Sequence, residues 1–490
     1  MRYASASGRF VILATVLGSG MAAIDSTVVG IALPTIGREF HSSFGALQWV
    51  VTGYTLTLAA LLLLGGSLGD HYGRRKVFCI GTVWFVVASA ACAISPGATV
   101  LVVMRVLQGI GAALLTPGSL AILQASFDPD ERGRAIGAWS GLGGVATAAG
   151  PLLGGYLVAA ASWRWVFIIN VPLGAIVLFL SVRHVPESRD PTARGPVDLR
   201  GAATATMALA GLTYALIEGP TSGWSDPLVV GMLVVGAVGS FVFLRVEKAS
   251  SAPMLPLAVF RQRQFTIANL VTFIVYAALG AALFLLPVEL QVVDHYSPLE
   301  SGVALMPVTV VMLALSARSG RLASRIGPRM QMSVGPVIVG AGLALLVRTT
   351  SDSSYLTSVA PGVLIFGLGL ATTVAPLTIT ALGAVPEEHA GLASAVNNDV
   401  ARLGSLIAVA VLPPLAGISG ASYLHPSELS GPFRTAVLIA GSLCVLGGAI
   451  AAVGIRNPPA GRGSEPGHDA AERTACLHCA LDASPMAADA

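Results

Sequence analysis

A chain of 490 residues with 54% hydrophobic and only 11% charged residues is not a water-soluble globular protein, which carries about 25% charged residues. One oversized soluble core does not explain the deficit, because cores stop growing at about 250–300 residues. The mean hydropathy of +0.78 makes lipid the main solvent, and the formal charge of +3 gives no strong attraction to nucleic acid.

Apolar stretches long enough to cross a bilayer recur at 10–33, 47–68, 77–95, 99–121, 135–158, 165–182, 199–217, 227–244, 266–288, 301–317, 331–347, 357–381, 391–412 and 434–455. They predict an all-α membrane protein with fourteen transmembrane helices. The first is too long for a signal-peptide core and is expected to stay as a span. With both termini placed on one side, 22 Lys and Arg fall in segments on that side, against Arg38, Arg164, Arg348 and Arg434 on the other. The positive-inside bias therefore puts both termini in the cytoplasm and supports an even number of spans.

The loop after the second span reads GSLGDHYGRRK, and the loop after the tenth reads SGRLASRIGPR. This echo predicts an internal repeat: six-helix bundles over 1–187 and 249–456, with an inserted helix pair over 188–248. The tail, 457–490, is rich in Pro, Gly, Ala and charge and is expected to be disordered. It carries Cys476 and Cys479 around His478, but one CxxC without a second ligand pair makes no metal site. No metal and no cofactor are expected.

A charge inside a span costs about 2.5–3.5 kcal/mol on insertion scales, which makes each one a functional candidate. Asp25 lies two-thirds along the first span, on a face shared with Thr15, Gly18, Ala22 and Val29. That face should turn toward other helices, where the carboxylate could exchange a proton or meet a cation. Arg105 in the fourth span shares a face with Gln108, Ala112 and Thr116; an arginine stays charged and needs a partner there. In the fifth span Gly137, Gly141, Gly144, Pro151 and Gly155 recur at 3–4 spacing, with Gly150 and Gly154 alongside. Such a stripe lets a second helix approach closely, and Pro151 permits a kink. Gly66, Gly69, Asp70, Gly73, Arg74 and Arg75 stand at the mouth of spans 2 and 3, with Gly69 and Gly73 expected to form a tight turn. Asp399 and Arg402, three apart in the thirteenth span, can pair on one helix face. Glu289 and Glu218 fall at span ends, where a carboxylate can reach headgroup water.

These motifs together resemble the major facilitator superfamily, and within it the fourteen-helix drug:proton antiporters, over roughly residues 10–455. GSLGDHYGRRK (66–76) is similar to the loop signature of the superfamily. RVLQGIGAA (105–113) is similar to the span-4 signature, whose arginine the family links to proton transfer. Gly137 followed by AGPLLGG (149–155) resembles the span-5 antiporter signature, with Ala146 where the pattern has glycine. IDSTVVGIALP (24–34) matches the span-1 signature except at Gly30, where asparagine is usual. WRWVFIINVPLG (163–174) and LQVVDHYSPLESGVALMP (290–307) are also typical of the group.

The resemblance implies a monomeric exporter of small amphipathic molecules in the cytoplasmic membrane, working by alternating access against protons. Asp25 and Arg105 would serve proton coupling, residues 66–75 a conformational latch, and the span-5 stripe the seam of exchange. The alternative is a dedicated exporter of one endogenous metabolite, such as a self-made antibiotic, siderophore or lipid. An enzyme is not expected, for the sequence offers no nucleophile–base set. Nucleotide is not an expected partner either, because glycine runs such as the one at Gly141 lie inside a span and cannot cradle phosphate.

Overall fold

In the computed structural model, residues 1–190, 197–250, 253–349, 354–385 and 390–457 are described. Met1–Ile455 form one compact unit; of a second, Arg456–Ala490, only the first two residues are described. The CLHC motif and nearly all of the tail therefore lie outside the described residues. All regular elements among the described residues are helical.

Each predicted span coincides with a helix or a closely broken helix pair. In order these are α1 (Ala6–Phe40), α2 (Phe44–Tyr72), α3 (Arg74–Ala93), α4 (Ala98–Ser126), α5 (Pro129–Ala160), α6 (Trp165–Ile168) with α7 (Asn170–His184), and α8 (Leu199–Ser222). They continue with α9 (Pro227–Ala249), α10 (Arg263–Val292), α11 (Pro298–Ile326), α12 (Pro328–Leu345), α13 (Tyr355–Ser358) with α14 (Ala360–Gly383), α15 (Ala390–Ala416) and α16 (Pro426–Gly454). Thirteen of these spans are long and apolar enough to cross a membrane. The remaining one, α8, has the length, 24 residues, with a less apolar sequence.

Local chemistry explains the ends. Ser5 and Ser43 accept hydrogen bonds from the amides of Gly8 and Ala46 at 3.1 and 3.3 Å, capping α1 and α2. Ser297 and Glu300 form a reciprocal capping box that starts α11. α2 and α3 are joined through Gly73 alone, at φ +115°, and α11 and α12 through Gly327 alone, at φ +84°. Only glycine adopts such angles freely. The two echoing loops thus make the same one-residue turn. Gly69 was expected to share that turn but lies inside α2, and Gly73 makes it alone.

The helices gather into two sets and a pair. α1–α7 pack among themselves, as do α10–α16, while α8 and α9 pack mainly on each other; α8 also touches α2 and α15. Close small-residue crossings hold the sets together. A methyl group on Gly154 would lie 2.9 Å from Val28 Cα, and Gly109 sits directly against Thr57 and the Tyr54 carbonyl.

The contacts joining the two sets are gathered at one end, that of Phe40, Phe44, Ala160 and Pro298. There Gln48 Nε2 donates to the Val409 carbonyl at 2.6 Å, Gln291 Nε2 to Ile31 O at 2.9 Å, and Tyr423 Oη to Ser42 O at 2.9 Å. The Phe44 and Phe284 rings meet edge to face at 5.5 Å. Gly155 of α5 lies against Pro298 and Leu299 of α11, and Gly302 of α11 against Pro151. Toward its other end α5 stands clear: methyl groups on Gly137, Gly141 or Gly143 would meet nothing within 4 Å. The expected flat seam is therefore a half-closed one. Its stripe faces α11, but the helices converge only around 151–155, while Gly150 and Gly154 pack on Thr27 and Val28 of α1 instead.

Candidate functional site

Two features lie side by side midway along the helices: a buried polar network inside the first set, and a cavity between the sets. The network centres on Asp25, which is 0% exposed, and Arg105, 1% exposed. The two side chains form an ion pair through Arg105 Nη1 and Asp25 Oδ2. Gln108, one turn along α4 from Arg105, joins both: it accepts from Arg105 Nη1 at 2.7 Å, and its Nε2 donates to Asp25 Oδ1 at 2.8 Å. Asn170 Nδ2, at the break between α6 and α7, donates to the same Oδ1 at 3.0 Å and to Ser89 Oγ at 3.0 Å. Arg105 Nε donates to the Val50 carbonyl at 3.0 Å, and its guanidinium lies 4.2 Å from the centre of the Tyr54 ring.

Three helices and one helix break thus supply α1's carboxylate with three donors and α4's cation with three acceptors and an aromatic face. Burial of two charges is tolerated only with such full hydrogen bonding. A neutral carboxyl in place of the Asp25 carboxylate would turn this cluster from neutral to positive and leave the Arg105 charge without its partner. That is the chemistry a switch requires.

The cavity, about 300 Å³, is lined by α1, α2, α5, α10, α11 and α15. Its walls mix apolar side chains (Ile31, Val51, Leu283, Phe284 and Leu406) with the polar groups of Ser26, Thr27, Thr55, Tyr276 and Ser405. Tyr54 belongs to both features: it lines the cavity, its ring takes the Arg105 cation, and its hydroxyl donates to Ala22 O at 3.2 Å. Asp25 is not itself a cavity wall, whereas Tyr54, on whose ring Arg105 lies, is one.

The other expected residues are placed as follows. Asp70 pairs with Arg74 at 2.8 Å, and Arg75 lies 3.7 Å from Glu187. Glu187 also accepts from the amides of Arg75 and Lys76 at 3.1 and 3.2 Å, capping α3. These bonds stay within the first set. Gly66 and Gly69 have only ordinary neighbours, at 3.6 Å and beyond. Asp399 and Arg402 do not form the expected ion pair; Arg402 turns into the cavity, leaving one carboxylate oxygen of Asp399 buried and unpartnered. Glu289 does not reach headgroup water but is 0% exposed with neither oxygen hydrogen-bonded. Glu218 accepts from Trp49 Nε1 at 2.9 Å. Just beyond α10, burial pushes the Asp294 carboxyl up to about 6. Tyr54, Ser89 and Asn170 were not singled out from sequence. Asn170 had a signal, being the one amide in the apolar run that follows Trp165.

Fourteen spans in two sets and a pair, the sets closed at one end around a central cavity with charges buried beside it, define a membrane transporter of alternating-access architecture. Residues 15–409 match the Major Facilitator Superfamily, and the chain belongs to that family. The multidrug resistance protein Stp of Mycobacterium tuberculosis is 38% identical over 402 residues, 82% of this chain and 74% of that protein. The tetracenomycin C resistance and export protein of Streptomyces glaucescens is 35% identical over the same length, 82% and 74% of the two chains. The puromycin resistance protein of Streptomyces alboniger is 36% identical over 421 residues, 85% of this chain and 83% of that one. Among solved structures, a bacterial homologue of the lysosomal transporter Spinster, inward-facing and unoccupied, superposes with a TM-score of 0.66 at 16% identity, covering 92% of this chain and 97% of that one. The inward-open xylose transporter of E. coli gives 0.61 at 15% identity, with 92% and 97% covered. The fold is the major facilitator fold.

Proposed function

We propose that this protein is a proton-coupled antiporter that exports small amphipathic molecules, and that Asp25 carries the coupling proton. The observation that carries the reading is the Asp25–Arg105–Gln108–Asn170 network, wholly buried yet linked to a cavity wall through the Arg105–Tyr54 contact. Relatives named for drug resistance and for antibiotic export support the direction of transport.

On this reading 1–187 and 249–456 form the two rocking bundles, 188–248 an inserted pair, and one chain suffices for transport. The protein sits in the cytoplasmic membrane with both termini in the cytoplasm, as the arginine bias requires. The open end is then cytoplasmic, and the cavity receives cargo from inside. When the molecule inverts, the Asp70–Arg74–Arg75 mouth closes as a latch. A proton arriving from outside neutralises Asp25 and frees Arg105, which favours return to the inward state. Each proton entering down 100 mV supplies about 2.3 kcal/mol, more than the roughly 1.4 kcal/mol of a tenfold gradient.

The test is substrate-induced proton release from purified protein, together with transport in proteoliposomes. Asp25→Asn should abolish release and proton-driven export while substrate still exchanges passively. Arg105→Ala should also uncouple, and Arg105→Lys should retain part. If Asp25→Asn releases protons like the wild type, the coupling carboxylate is elsewhere and Asp399 is the next candidate. Several relatives are named for one antibiotic each, which favours a narrow cargo as the second reading. Resistance to a single compound across a broad panel would establish it.

A further inference from the structure

We propose that the cavity selects amphipathic anions, with Arg402 the group that takes the substrate carboxylate. The inference rests on the transporter reading of that cavity and adds its substrate class. Arg402 is the one formally charged side chain among the described cavity walls. It forms no ion pair or hydrogen bond with any described residue, and its Nε is shut off from solvent without an acceptor.

The contrast with Arg105 is instructive. Both arginines sit deep in the helices, and both stay charged at any physiological pH. Arg105 has an aspartate, a glutamine and a backbone carbonyl. Arg402 has an aspartate one turn away, Asp399, that does not pair with it. Arg402 is half-buried at the cavity wall; an arginine kept as a structural clamp would be hydrogen-bonded as Arg105 is, because a charge inside a span is costly without a partner. The two terminal guanidinium nitrogens, left without an acceptor at a cavity wall, fit a bidentate acceptor. The walls around it, Leu283, Phe284 and Leu406, suit an apolar body. The complement of that surface is a small apolar molecule bearing one carboxylate.

The protein in lipid nanodiscs is titrated with dansylglycine, with dansylglycinamide, and with the monodansyl derivative of ethylenediamine, which present an anion, a neutral amide and a cation on the same body. The wild type should bind the acid about tenfold or more tightly than the amide, the scale of one charge-assisted hydrogen-bonded pair. Arg402→Gln should erase that preference while leaving amide affinity within about twofold, and Arg402→Lys should keep part of it. Asp399→Asn should leave the preference in place. Equal binding of acid and amide by the wild type, tighter binding of the amine, no binding of any of the three, or a preference that survives Arg402→Gln overturns the proposal. No gradient is present, so the outcome is independent of coupling. If Asp25→Asn keeps full proton-driven export, the antiporter site is wrong while the anion preference stands.

Discussion

Replacing Gly155 by alanine should tilt the molecule toward its opposite conformation. The added methyl would lie 2.5 Å from the Pro298 carbonyl oxygen and 2.9 Å from Leu299 Cα, both backbone atoms of α11 that no rotamer change can move. Ordinary contact begins near 3.4 Å, so the helices must separate by up to roughly 0.9 Å where they now touch. Overpacking of this kind costs about 1–3 kcal/mol. The cost falls only on the state in which α5 and α11 converge at this end. The gain in helix propensity, about 1 kcal/mol for Gly→Ala, is common to both states and cancels. At 1.4 kcal/mol per decade, the ratio of the two states should move by about 5- to 150-fold. Ser26, which lines the cavity, reports the shift when replaced by cysteine in a background with the five native cysteines changed to serine. A membrane-impermeant maleimide is applied to right-side-out and inside-out vesicles. Labelling from the Phe40–Pro298 side should rise at least about fivefold relative to the other side. Gly150→Ala, whose methyl meets Thr27 within the first set, should leave the ratio unchanged. If Gly155→Ala labels like the wild type, or Gly150→Ala shifts the ratio equally, the hinge argument is wrong.

Asp25→Asn or Arg105→Gln alone should lower stability by about 3–5 kcal/mol, because each strands a buried charge or its partners; the double variant should lose less than the sum in mixed-micelle unfolding. Gly109→Val drives side-chain carbon into Thr57 and the Tyr54 carbonyl and should destabilise by about 1–3 kcal/mol, seen as a lower Tm. Gly73→Ala, at φ +115°, should cost about 1–2 kcal/mol, whereas Gly69→Ala, inside α2, should be neutral or better. Asp294 has its carboxyl raised from about 3.8 to about 6 by burial, so the folded state prefers the protonated acid. That contribution is complete below about pH 4 and lost as pH rises through 6; Asp294→Asn should flatten the Tm profile across this window and raise Tm at pH 7.

The spans were legible because a bilayer demands about twenty apolar residues each time, and that demand is written locally in composition. The Asp25–Arg105 pair was legible in part. Two opposite charges in separate apolar runs require company, but nothing in one sequence says that α1 and α4 are neighbours; the family resemblance gave both residues one role without placing them in contact. Asn170 and Tyr54 were missed because their importance lies in what they face, Asp25 of α1 and Arg105 of α4, on helices distant in sequence. Asp399 and Arg402 were misjudged for the complementary reason. Spacing on one helix permits a pair, but the arginine's choice of cavity over carboxylate depends on the shape of the surrounding helices. Glu289 likewise looked peripheral, but the end of a span is not always the edge of the molecule, and this side chain is fully buried.

The α8–α9 pair has a consequence for the balance of states. α8 lies against both α2 and α15, one from each set, and it is fastened to the first by the Trp49–Glu218 hydrogen bond and the Trp49–Tyr214 ring contact at 6.0 Å. When α2 and α15 draw apart it can follow only one of them, and the fastening decides that it follows α2. Its contact with α15 would then be given up whenever the two sets part at this end. The pair behaves as a splint laid across a joint, adding to the weight of the shut position, and a variant with a looser splint would rest open more often.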